Sequence, residues 1–251
     1  LTELDELTGV KGTTASYAPS ASILLKADRS HRAPAPLRCL AIGVDGAGLA
    51  NAEAEAMWIA QHLSGDTLLG AAATPAAVSR ALVDGDANYN VIHFSCHGLF
   101  RQRTPMESAL LLAGGELRAG DLLESVRRDK LRLNAEIVTL SACDTGLNKL
   151  TPGDELLGFT RAFLGAGARS LLVALWPVHE IPTRLLMEHF YSGWTRGVSK
   201  AAALAAAQRF VAELEQEAVA ARLVEYGLGA PEIAALLALF EKMLPGSRPF
   251  A

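Results

Sequence analysis

Cysteine, net positive charge and long apolar runs are all scarce in this chain. Its 251 residues include three cysteines, Cys39, Cys96 and Cys143, set far apart. None forms a CxxC pair, which argues against a zinc knuckle, and no metal or cofactor is expected. An odd count without a disulfide framework fits a reducing compartment, so a cytoplasmic location is expected. Formal net charge is −4, leaving no broad basic field to hold nucleic acid. The basic cluster Arg127-Arg128-Asp129-Lys130 is broken by an acid and is expected to be a solvated loop. No apolar run reaches the length of a membrane span, so no membrane partner is expected. The opening Leu1-Thr2-Glu3-Leu4-Asp5-Glu6-Leu7 is amphipathic and acidic, unlike a signal peptide. It does not start with Met, which leaves open that the chain belongs to a longer protein.

What the chain has is apolar material. Hydrophobic residues make up 50%, charged residues 20%, and mean hydropathy is +0.22. That is enough to bury the core of one large α/β domain. Strands are expected at Leu37–Val44, Thr67–Leu69, Val91–Cys96, Ala109–Leu112, Ile137–Ala142 and Arg169–Leu175. A strand near Thr13–Ala18 and a short helix over Ser20–Lys26 are weaker expectations. Helices are expected from a cap at Asn51 to about Leu63, and over Pro75–Leu82 behind an N-cap at Thr74. Others follow over Ala119–Val126, from Gly153-Asp154-Glu155 to about Gly165, over Pro182–Thr195 and over Ser199–Glu215. Residues 218–243 are expected to be helical, with a break at Gly227–Pro231. Strands alternating with helices predict a mostly parallel sheet with helices on both faces, a three-layer α/β/α sandwich with extra C-terminal helices. The expected organisation is a single domain over 1–251, with its core at about 13–210 and a helical extension at 218–251. No repeat of 20–50 residues is visible.

Two strand ends carry candidate chemistry. Val91–Ser95 runs into Cys96-His97-Gly98, and Ile137–Ala142 runs into Cys143-Asp144-Thr145-Gly146. Parallel strands present their carboxyl ends along one rim, where ligands bind. A thiol and an imidazole on that rim make a nucleophile and its base. Backbone N–H groups of Gly98 and Cys143 could serve as donors to an oxyanion. His93, Ser95 and His97 are expected to share one strand face. On that basis His93 is expected to be buried beneath the site, and Cys96 and Cys39 to be core residues.

These residues resemble a known family. His-Phe-Ser-Cys-His-Gly (93–98), Leu-Ser-Ala-Cys-Asp-Thr-Gly (140–146), the run Gly-Asp-Glu-Leu-Leu-Gly-Phe-Thr-Arg-Ala-Phe-Leu-Gly-Ala-Gly-Ala-Arg-Ser (153–170) and Leu-Trp-Pro-Val (175–178) resemble the CHAT domain. Tyr17–Leu24 is similar to its N-terminal segment. The likeness spans about residues 13–210. It implies a bacterial relative of caspases and separase, of clan CD, with the caspase-haemoglobinase fold and a Cys/His dyad. His97 and Cys143 match the family's catalytic positions, and Gly98 its oxyanion-hole glycine. The two dyad residues stand 46 positions apart, near the roughly 50 of caspases. The surroundings of Cys143 depart from the caspase pattern, so caspase-type specificity for Asp is not implied. Trp176-Pro177-Val178-His179-Glu180 is similar to a separase segment in which an acid recognises a basic side chain. Asp144, Glu180 and Trp176 are therefore candidates for the substrate pocket. Glu180, and more strongly Asp154, also suit the first turn of a helix.

The function implied is a cysteine endopeptidase that cuts a specific intracellular protein through a thioester acyl-enzyme. Its expected partners are that protein substrate and a regulatory protein or sensor module, with a latent state released by a partner or by processing. A catalytically silent CHAT-like interaction module is the alternative. Gly43-Val44-Asp45-Gly46-Ala47-Gly48 follows a strand and precedes a helix, as a nucleotide loop would. Its order is GxxGxG rather than GxGxxG, and no P-loop Lys follows. Leu236, Leu237, Leu239 and Phe240 form a stripe expected to pack within the chain.

Overall fold

The computed structural model describes residues 14, 36–46, 49–83, 89–101, 103–142, 157–174, 178–214 and 216–243. The expected strand near 13–18, the helix over 20–26 and the helix opening at 153–155 lie outside these residues, apart from Thr14. The chain divides into two compact units, one of residues 17–184 and one of 1–16 with 185–251.

The first unit is built on five parallel strands. These are β1 (Cys39–Gly43), β2 (Asp66–Leu69), β3 (Val91–Ser95), β7 (Ile137–Ser141) and β8 (Leu171–Val173), in the order β2-β1-β3-β7-β8. β1 and β3 are buried along their whole length. That is why they are apolar almost throughout rather than alternating, as suits strands covered on both faces. Helices α1 (Ala52–His62), α2 (Pro75–Val83), α3 (Ala119–Arg127) and α4 (Leu157–Ala166) connect them. Thr74 caps α2 as expected, its Oγ1 accepting the Ala77 N–H at 3.1 Å.

Each face of the sheet has its own partner layer. Leu40, Ile42, Ile92, Phe94, Val138 and Leu140 point to one face and join the main core. Val78 and Leu82 of α2, Leu122 of α3, and Phe159 and Phe163 of α4 close over them. Phe163 lies between Phe94, at 5.9 Å between ring centroids, and Phe159, at 6.0 Å. The other face carries His93 toward Glu55 of α1. The expected three-layer α/β/α arrangement with a mostly parallel sheet is therefore the architecture of this unit.

A second, antiparallel sheet is a departure from the expected fold. β4 (His97–Leu99), β5 (Ala109–Leu112) and β6 (Gly115–Arg118) pair in the order β4-β5-β6. Only β5 was foreseeable as a strand from its apolar run. The hairpin signal was there, a two-residue connection at Ala113-Gly114, where Gly114 takes φ +75°. A glycine in that conformation lets the turn follow the strands' twist. β3 ends at Ser95, so His97 is not its terminal residue and does not continue the face of His93 and Ser95. A bend at Cys96 starts a new strand in a different sheet.

The second unit is helical. α5 (Glu180–Thr195) begins in the first unit and continues into it, followed by α6 (Lys200–Ala212), α7 (Gln216–Glu225) and α8 (Ala230–Met243). Ser199 caps α6 by accepting the Ala202 N–H at 3.3 Å. Phe190, Tyr191 and Trp194 make an aromatic cluster on α5, and His189 stacks on Phe210 of α6 at 4.4 Å. α7 and α8 pack against each other, with Leu223 and Ile233 buried. The break expected at 227–231 falls between them. Leu236 and Leu237 are half-buried; the side chains of Leu239 and Phe240 lie outside the described set.

Phe163→Ala would open a cavity between the Phe94 and Phe159 rings of the main core. The expected cost is about 3–5 kcal/mol, read as a lower urea midpoint at unchanged slope.

Candidate active site

The register of β3 on β7 sets the site. Ser95 stands opposite Ser141 in the parallel ladder, so the two strands end level. Beyond Ser95 the chain bends into β4 and presents His97 and Gly98. Beyond Ser141 it reaches Ala142, the residue before Cys143. These two ends are neighbours in space. A methyl placed on Gly98 would lie 3.5 Å from Cβ of Ala142 and 2.7 Å from the Phe100 ring. Gly98 itself is buried, and His97 is half-buried. Cys143, Asp144 and Trp176 lie outside the described residues, as does Asp154.

The end of β1 supplies the third wall. Val44 donates its N–H to the Ser95 carbonyl at 3.0 Å, which keeps the chain after β1 beside the end of β3. Gly46 then meets the imidazole of His97. A methyl on Gly46 would fall 2.8 Å from Cδ2 and 3.0 Å from Nε2. The first is shorter than a carbon contact tolerates and the second is tight, so the ring edge lies close against the glycine backbone. Gly46 and Leu49 exchange two backbone hydrogen bonds, at 2.7 and 3.0 Å.

The start of α1 is held differently from the expectation. Asn51 makes no side-chain cap. Instead Asp45 Oδ1 accepts the Glu53 N–H at 2.9 Å. Glu180, the first residue of α5, reaches across with Oε2 to accept the N–H groups of Ala50 at 2.7 Å and Asn51 at 3.2 Å. The Asn51 Oδ1 accepts from Arg184 Nη1 at 3.4 Å. Carboxylates suit this place because the orphan amides and dipole of a helix start favour negative charge. They also occupy it, so the amides of Ala50, Asn51 and Glu53 already have acceptors.

Beneath the rim lies a buried His–Glu hydrogen-bonded pair that the sequence half disclosed. His93 Nε2 stands 2.8 Å from Glu55 Oε1, with side chains 0% and 4% exposed. The buried position of His93 was expected; its partner was not. On α1 the apolar Met57 is exposed, whereas Glu55 is buried. Glu55 sits on the face shared by Ala52, Ala56 and Ile59, and that spacing was the available signal. Cys39 and Cys96 are core residues, as expected. Burial pushes both thiols up to about 12, and for Cys39 the carboxylate of Asp66 adds to the effect.

Among the described residues, no cluster of three or more His, Cys, Asp or Glu is placed to hold a metal. No described helix is long and apolar enough to cross a membrane.

A parallel α/β unit whose strands β3 and β7 end level at one rim is the class of protein defined here. A family model described as the CHAT domain matches residues 10–235. The chain belongs to the CHAT domain family, which is related to the caspase-like clan CD. It is 39% identical over 95 residues to tetratricopeptide repeat protein 28 of Mus musculus. It is 36% identical over 95 residues to the protein of that name from Homo sapiens. Each match covers 38% of this chain and 4% of the relative. The chain thus matches a small part of these much longer proteins, and their mammalian source leaves the organism of this chain unassigned.

Glu55→Ala removes the carboxylate facing a fully buried imidazole and should cost about 3 kcal/mol, measured by urea unfolding. Iodoacetamide at pH 8 should leave Cys39 and Cys96 unmodified in the folded protein and label both after denaturation, as read by mass spectrometry. The folded chain keeps these thiols protonated toward pH 12, whereas unfolded thiols ionise near 9.0. Their contribution to stability is therefore complete below pH 9 and declines as pH rises through that window.

Proposed function

We propose that this CHAT domain is a cysteine endopeptidase with Cys143 as nucleophile and His97 as its base. The observation that carries the proposal is the nearness of Gly98 to Ala142, close enough that a methyl on the glycine would touch the alanine Cβ. Residues distant in the chain meet at one rim, and Cys143 follows Ala142 directly in sequence. The imidazole takes the thiol proton, and the thiolate attacks a peptide carbonyl carbon. The Gly98 and Cys143 N–H groups would stabilise the resulting oxyanion. As the C–N bond breaks, His97 returns the proton to the leaving amine and a thioester remains. Water, deprotonated by the same imidazole, then hydrolyses the thioester and restores the thiol.

For the substrate pocket we propose Asp144, Glu180 and Trp176, with preference for a basic side chain before the cut. Glu180 supports this through geometry: Oε2 holds two amides, while Oε1 has no partner among the described residues. The substrate is proposed to be a specific intracellular protein, and control to come from a partner or a processing event. The alternative is a silent interaction module. It draws its support from the matched relatives, whose names refer to tetratricopeptide repeats and not to peptidase activity.

A peptide library incubated with the protein and read by mass spectrometry tests the reading. Cleavage after basic residues should fall on the order of 10^4-fold in Cys143→Ala and in His97→Ala. Undiminished cleavage in both variants rejects the dyad. No cleavage by the wild type, together with a Cys143 no more reactive than an ordinary thiol, favours the module.

A further inference from the structure

The geometry points to Gly46 and Glu180 as positioning residues for His97, acting through the segment between β1 and α1. This rests on the reading of His97 as the base of the dyad and assigns Glu180 Oε2 a task separate from substrate recognition. His97 heads a short strand after a bend, and one edge of its ring lies against a wall. That wall is the backbone of Gly46, close enough that a methyl group there would press on Cδ2 and force the ring to shift. A base is effective only when its nitrogen is held within hydrogen-bond reach of the group it deprotonates. A ring displacement of about 1 Å is enough to lose much of that effect.

The wall is fixed at three places. Val44 is tied to Ser95 by its N–H. Asp45 is tied to the first turn of α1 through Glu53. On the far side of the Gly46–Leu49 hydrogen bonds, Ala50 and Asn51 are tied to Glu180, and Asn51 also to Arg184. The Glu180 carboxylate therefore links the start of α5 to the segment that carries Gly46. Without it, two amides lose their acceptor and that side of the segment loses its carboxylate anchor.

Gln at position 180 keeps an oxygen that can accept both amides but carries no charge, whereas Ala keeps neither. This separates holding the segment from attracting a basic substrate. The test compares Gly46→Ala, Glu180→Ala and Glu180→Gln with wild type at pH 7. One readout is the proton and nitrogen NMR signals of the His97 ring, assigned by their loss in His97→Ala. The other is the rate at which iodoacetamide alkylates Cys143. Gly46→Ala and Glu180→Ala should shift the His97 signals and slow alkylation on the order of tenfold, toward an ordinary thiol. Glu180→Gln should match wild type in both. His97 signals that stay in place in Gly46→Ala and Glu180→Ala overturn the inference, as does a Glu180→Gln that behaves like Glu180→Ala. If the signals move as expected but His97→Ala leaves the wild-type alkylation rate unchanged, the positioning stands and the dyad falls.

Discussion

The site depends on one ladder of hydrogen bonds, the parallel pairing of β3 with β7. With Ser95 opposite Ser141, the two chains leave the sheet at the same height. A slip of one residue would reverse every side chain on one strand, turning Phe94 or Leu140 out of the core. Burial of both faces therefore protects the register, and the register sets Gly98 against Ala142. The apolar core is in this sense what aligns the two strand ends.

Around that ladder, polar groups are used where the backbone needs them. The start of α1 has amides that no helix can satisfy within itself. Asp45 accepts one from the strand side, and Glu180 accepts two more from α5. One turn deeper, Glu55 meets His93 inside the layer. A buried pair of this kind is costly to break rather than strongly stabilising. It holds α1 to β3 in a single orientation, and the same helix start anchors the segment that backs His97.

Membership of the CHAT family and the α/β sandwich were legible because their signals are local. Val91–Ser95 and Ile137–Ser141 are apolar runs of strand length, and Thr74 and Ser199 announce their helices. The His-Gly and Cys-Asp-Thr-Gly motifs stand out by residue type. The antiparallel sheet was less legible. β4 is three residues long and includes a histidine and a glycine, so nothing in its composition marks a strand. Its pairing with β5 exists because the hairpin at 109–118 folds back beside it. Asn51 misled for a related reason. It has the residue type of a cap, but acids from elsewhere reach the same amides, and its side chain accepts from Arg184 instead.

The amino-acid sequence by itself determined the parallel α/β class, the burial of Cys39, Cys96 and His93, and which residue types carry candidate chemistry. Periodicity and side-chain polarity act over a few neighbouring positions, and those can be read in order. Only the tertiary structure decided that His97 opens a new strand, that its ring rests on Gly46, that Glu55 faces His93, and that Glu180 holds the approach to α1. Each of these joins groups far apart in the chain. They form only after the core has closed, when a buried imidazole or an unpaired amide must take the nearest partner that packing brings to it.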